Sequence, residues 1–135
     1  MIGVSTPDSA SPENLRHDPA RFASEALRAD LWDKQREILS AVANHKRVAV
    51  RSCNGSGKTF TAAYVVIWWL VTQTESIVIT TATTAHQVRN ILWREIRRIY
   101  HSNAALIGGK LSNTSIELDD KHFAVGLSTD QPERF

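Results

Sequence analysis

In the stretch "VAVRSCNGSGKTFTAAYVV", residues 48–66, Lys58 and Thr59 directly follow Gly57. That order suits phosphate chemistry. A Lys reaches the outer phosphates of a nucleotide and a following hydroxyl residue holds Mg²⁺. The full pattern is Gly, four residues, then Gly-Lys-Ser/Thr. Here Ser52 occupies the first position. That position shapes the approach to the turn, where a small residue suffices, so the cradle itself is unaffected. Gly55 and Gly57 let backbone N–H groups point inward, because glycine lacks Cβ and tolerates positive φ. The bland alternative is a glycine-rich strand-to-helix turn with an incidental Lys. The apolar residues on both sides argue against it.

The candidate nucleotide contacts are therefore Ser52, Cys53, Asn54, Gly55, Ser56, Gly57, Lys58, Thr59 and Phe60. The ligands expected are ATP and Mg²⁺, with Lys58 stabilising the transferring phosphoryl group and Thr59 on the metal. Gln35, in "LWDKQREIL", adds a side-chain amide that donates and accepts at once, which suits an adenine edge. Trp32 could wall the base. The alternative for Gln35 is a solvent-facing residue on an amphipathic helix. Cys53 is either a passive small residue or, if exposed, an oxidisable thiol.

Further groups carry weaker signals. Arg89, Arg94, Arg97 and Arg98 form a basic set that either meets a phosphate backbone or is a solvated face. Thr80, Thr81, Thr83, Thr84 and His86 cluster where a strand ends. Ligands gather at that end of parallel sheets, but a Thr-rich loop and helix cap explains the cluster equally well. Glu117, Asp119 and Asp120 resemble a catalytic acid pair only in composition. "TSIELDD" alternates apolar and polar, as a half-exposed strand and turn would. Trp68, Trp69 and Trp93 read as core aromatics.

The elements that must position these groups follow from periodicity. Residues 1–18, rich in Ser, Pro and charge, read as a disordered or loosely docked arm. A helix is expected over Ala20–Ala29. A second begins near Asp30 as its cap, buries Leu31, Ile38, Leu39 and Val42, and places Asp33 at the positive end of its dipole. Arg47–Ser52 reads as a strand, Gly57–Thr72 as a helix, and Ser76–Thr83 as a β-branched strand. The Thr84–His101 helix buries Val88, Leu92, Ile96 and Ile99. A hairpin over Lys110–Leu118 and His122–Ser128 turns at Asp119-Asp120-Lys121. The helix after the glycine loop is apolar nearly all round and is expected between layers. Strand, helix, strand, helix is α/β grammar: a parallel sheet flanked by helices, with the hairpin as an antiparallel decoration.

The 135 residues suffice for one domain with a core. Apolar residues make up 42% and charged residues 22%, as in ordinary globular chains. The net charge of +2 neither demands nor excludes a nucleic-acid partner. The single cysteine, Cys53, rules out an internal disulfide and fits a reducing compartment. No signal peptide is visible, and the longest apolar run, Ala62–Val71, has ten residues. A bilayer needs about 20.

With those segments in place, the chain resembles a family. "LWDKQREILSAV", "RVAVRSCNGSGKTFTAA", "SIVITTATTAHQVRNILWREIRR" and "FAVGLSTDQPERF" are similar to the N-terminal ATPase part of phage terminase large subunits, motors that package viral DNA. The resemblance covers about residues 20–135. It implies a P-loop NTPase fold, RecA-like and of the additional-strand type, related to helicases. It implies ATP-driven translocation of double-stranded DNA, a portal protein and a small terminase subunit as partners, and a homo-oligomer in the full-length protein. The site of action would be the host cytoplasm, transiently at the procapsid portal, with no membrane. On this resemblance Gln35 matches the adenine-sensing Gln, and Thr81–Gln87 matches the segment that couples nucleotide to DNA. Many terminases carry an arginine-finger candidate within the loop. Asn54 takes the comparable position here, and Arg51 is the substitute. The Walker B acids, the coupling motif and the nuclease domain would follow Phe135, so the chain is expected to be the N-terminal portion of the ATPase domain. The alternatives are a superfamily 2 helicase-like ATPase, or an inactive truncated fragment that binds nucleotide or DNA.

Overall fold

The computed structural model describes residues 15–51 and 57–130. The loop residues expected to cradle phosphate, Ser52, Cys53, Asn54, Gly55 and Ser56, lie outside the described residues. Helix α1 spans Pro19–Arg21 and widens into a π-helical stretch, Phe22–Ala26. Proline opens it because its missing N–H costs nothing in the first turn. The Asp18 carboxylate caps it, accepting from Arg21 N–H at 3.1 Å. The segment stops short of the expected Ala29. Arg28 turns to φ 57, which no helix continues. Leu15, placed by the sequence reading in a loose arm, is instead only 1% exposed. Its carbonyl accepts from the Trp68 indole N–H at 3.0 Å.

Helix α2 covers Asp33–Asn44, with Trp32 as its N-cap rather than Asp30. Helix α3 covers Lys58–Thr72, with Gly57 as N-cap. Strand β1 is Ile77–Ala82. Helix α4 starts at the Thr84 cap and runs through Ala85–Gln87, a π-helical Val88–Leu92 and Trp93–Ser102. A short α5, Ala104–Ile107, precedes β2 (Lys110–Leu111), β3 (Ser115–Asp119) and β4 (His122–Ser128).

The chain is mixed α/β, with a four-stranded sheet in the order β1-β4-β3-β2. β4 pairs parallel with β1, from Ile77 opposite Phe123 to Ala82 opposite Ser128. β3 pairs antiparallel with both β4 and β2. The hairpin is therefore not a decoration, because its second strand is the inner partner of β1. Helix α3 touches α2, α4, β1 and β4, the central place its apolar sequence called for. Trp93, Ile96, Ile67, Leu70, Ile116 and Ala124 close the core beneath it.

One expected strand is not formed. Residues 47–51 belong to no sheet among the described residues, and all are exposed. Val48 and Val50 have strand-forming side chains, yet a strand exists only through a ladder with a neighbour. The facing edge of β1 has no partner among the described residues. A cleft of about 460 Å³ lies between, walled by Val48 and Val50 on one side and Val78 to Thr81 on the other. The three tryptophans read as core also separate. Trp93 and Trp68 are buried, while Trp69 is 42% exposed. No helix among the described residues is long and apolar enough to cross a membrane.

Candidate functional site

The site grows from the start of α3. Gly57 sits at φ 83, ψ 19, in the left-handed region, which glycine enters without the steric cost other residues bear. Its carbonyl accepts twice from Thr61, through N–H and through Oγ1, each at 2.9 Å. Thr61 is 1% exposed, so this clamp is dry. The clamp fixes the point where the glycine loop becomes a helix. From that point the first-turn amides, which have no intrahelical acceptor, and the positive end of the dipole face outward. Lys58 and Thr59 stand in this first turn. Lys58 is exposed and lines the 460 Å³ cleft together with Thr61, Thr80 and Thr81.

Gln35 is buried, not solvent-facing. Its Oε1 accepts from the Trp32 backbone N–H at 3.1 Å, while its own N–H donates to the Trp32 carbonyl at 3.0 Å. This is the reciprocal arrangement that starts a helix with Gln in its third position. Gln35 and Trp32 line a second cleft of about 500 Å³ with Arg51, and this cleft shares Ile38, Val48 and Val50 with the first. Trp32 is 52% exposed and lines the rim. Gln35, Trp32, Arg51, Gly57 and Lys58 are thus brought to one side of the molecule. A mostly apolar, two-part cleft with a few convergent polar groups is the common form of a small-ligand site.

Phe60 has structural work of its own. Its ring meets Tyr64 edge-on at 4.7 Å, and the Arg98 guanidinium lies 5.4 Å from its centroid. Arg98 is also bonded to Glu95 at 2.9 Å, which raises its pKa further and keeps it charged. Arg97 is tied to the Asn113 and Arg89 carbonyls. Of the basic set, Arg89, Arg94 and Arg98 are exposed on α4, and Arg97 is half-buried.

The threonine cluster divides. Thr80 is buried, accepts from Trp93 Nε1 at 2.9 Å and donates to the Val125 carbonyl at 3.3 Å, so it serves packing. Thr83, Thr84 and His86 remain exposed at the strand end, where Thr84 Oγ1 caps α4 by accepting from Gln87 N–H at 3.1 Å. Sequence reasoning missed Asp130. Both its carboxylate oxygens accept from Ala85 N–H at 3.1 Å, while Thr129 Oγ1 donates to the Thr83 carbonyl at 3.0 Å. The Ser128 hydroxyl, and then the Ala85 N–H, hold the Asp130 carboxyl below the usual carboxylate range. These contacts lock the ends of the parallel pair together. The only available cue was an Asp just after a strand.

Glu117 and Asp119 are exposed on β3, two places from β1 in the sheet. Asp119 accepts from Lys121 N–H at 2.8 Å and closes the hairpin turn. No group of three or more His, Cys, Asp or Glu suited to a metal ion occurs among the described residues. Comparison with family models, with curated proteins and with solved structures returned no match.

Proposed function

We propose that this chain binds a nucleoside triphosphate, ATP with Mg²⁺, at the start of α3, as the ATP-binding part of a P-loop ATPase of the terminase large-subunit kind. The carrying observation is the Gly57 turn: a left-handed glycine at a helix N-terminus, clamped by Thr61 and followed by Lys58 and Thr59. In this assignment Lys58 neutralises the outer phosphates and the Thr59 hydroxyl takes Mg²⁺. Trp32 and Gln35 lie on the side where the base would rest. The RecA-like architecture is supported by β1 and β4 running parallel with α3 packed on them. In the whole protein the same site would drive translocation of double-stranded DNA. Arg89 and Arg94 are exposed basic residues on α4 available to DNA.

One observation favours a second assignment for the chain as it stands, a nucleotide-binding unit without turnover. Glu117 and Asp119, the acids on β3, are exposed and lie away from β1, so neither orients a water at Lys58. Two measurements on the same chain separate the assignments: binding of a fluorescent ATP analogue, and release of phosphate. The expected result is binding without release. Repeated turnovers would overturn the second assignment, and absence of binding at millimolar analogue would overturn both.

A further inference from the structure

Gln35 has two ends, and the structure accounts for both. Its Oε1 is engaged by the Trp32 N–H at 3.1 Å. Flipping the amide would set Nε2 against that N–H, donor facing donor, so the helix cap fixes which end points where. Nε2 must then face the start of α3. A Cβ built on Gly57 would lie 2.8 Å from it, and 3.9 Å from Trp32 Nε1. Gly57 thus has the Gln35 amide packed close on one side, where a side chain would not fit, and the Thr61 N–H and hydroxyl bonded to its carbonyl on the other. Gln35 is 5% exposed. A residue that only reads a base has no need to be packed on the phosphate turn with its carbonyl spent on a helix cap.

We propose that Gln35 is a positioning residue for the phosphate turn. It holds Gly57 in its left-handed conformation and thereby sets Lys58 and the first-turn amides of α3, whether or not a base is present. The proposal rests on the phosphate-binding assignment and extends it. The N-terminus of α2 and the N-terminus of α3 act as one unit, joined through a single amide.

The test uses inorganic tripolyphosphate, which carries the phosphates without a base, beside ATP. Both are titrated with Mg²⁺ into the whole chain by calorimetry. Gln35→Ala is expected to weaken tripolyphosphate and ATP alike, by roughly ten-fold or more, the usual cost of losing a group that orients a binding residue. Gln35→Glu keeps an oxygen for the Trp32 N–H but removes the amine against Gly57. It is expected to melt near the wild-type temperature and still lose tripolyphosphate binding. Ser40→Gly loosens the same helix without touching Gly57 and should change tripolyphosphate binding by less than about two-fold. If Gln35→Ala weakens ATP but leaves tripolyphosphate unchanged, Gln35 reads the base and the proposal is wrong. If Ser40→Gly weakens tripolyphosphate as much as Gln35→Ala does, the effect is general softening of α2 and the proposal is equally wrong. If the wild-type chain binds neither ligand, the phosphate assignment itself falls and the bracing role falls with it.

Discussion

The two sides of β1 contrast sharply. Toward α4 the strand is sealed. Thr80 exchanges hydrogen bonds with Trp93 and the Val125 carbonyl, and Trp93, Val88 and Ile96 are buried against the sheet. The adjacent strand leaves room for this only through Gly126, where a Cβ would stand 2.4 Å from Trp93 Nε1 and 2.5 Å from Val88 Cγ1. On the other side Ile77 and Ile79 are 53% and 60% exposed, and the facing segment 47–51 forms no ladder. The same β-branched composition thus gives a sealed face on one side and an exposed one on the other. Propensity selects residues that tolerate extended backbone; packing partners decide which face is covered. Contiguous exposed apolar surface favours association, so this side is the aggregation-prone one.

The contrast can be broken first at its sealed side. Trp93→Ala should cost about 3–5 kcal/mol, the usual range for emptying a large aromatic site, read as a lost or sharply lowered urea midpoint. Next, Gly126→Ala should cost about 1–3 kcal/mol by overpacking against Trp93 and Val88, measured in the same way. An unchanged midpoint would mean the layer is looser than described. On the open side, Ile79→Thr should change stability by no more than about 0.5 kcal/mol, as exposed positions do, while reducing self-association in sedimentation. A core-sized loss there would show that the face is covered in solution. The smallest effect belongs to Asp130. Its folded pKa lies below the ordinary value, so its contribution is present at neutral pH and is lost as pH falls through the folded pKa. Asp130→Asn should therefore melt slightly below wild type at pH 7, and the difference should vanish in acid. A difference that persists at low pH would assign the effect to shape rather than charge.

Much of this was legible in the sequence where one segment's own pattern decides the outcome. The apolar helix after the glycines, the β-branched run of β1, the Thr84 cap and the Asp119 turn all form close to where local periodicity and capping put them. What stayed hidden depends on distant partners. Val48 and Val50 look like strand residues, but a strand needs a ladder, and none joins them to β1 among the described residues. β4 reads as half of a hairpin, and its parallel pairing with β1 joins residues 46 positions apart, such as Thr80 and Gly126. Trp69 looked like core because its neighbours are apolar, yet it falls on the one stripe of α3 that meets solvent. At the candidate site, spacing and type single out Lys58, Thr59 and Gln35, and the structure brings Gln35 and Lys58 to the same side. The packing of Gln35 on Gly57 was not, because it depends on how two helix starts meet in space.

The most direct test is a calorimetric titration of Mg-ATP into the wild-type chain and into Lys58→Ala. Loss of one charge-assisted contact to phosphate should weaken binding by about 10–100-fold. Equal affinity for the two proteins would contradict phosphate binding at the start of α3.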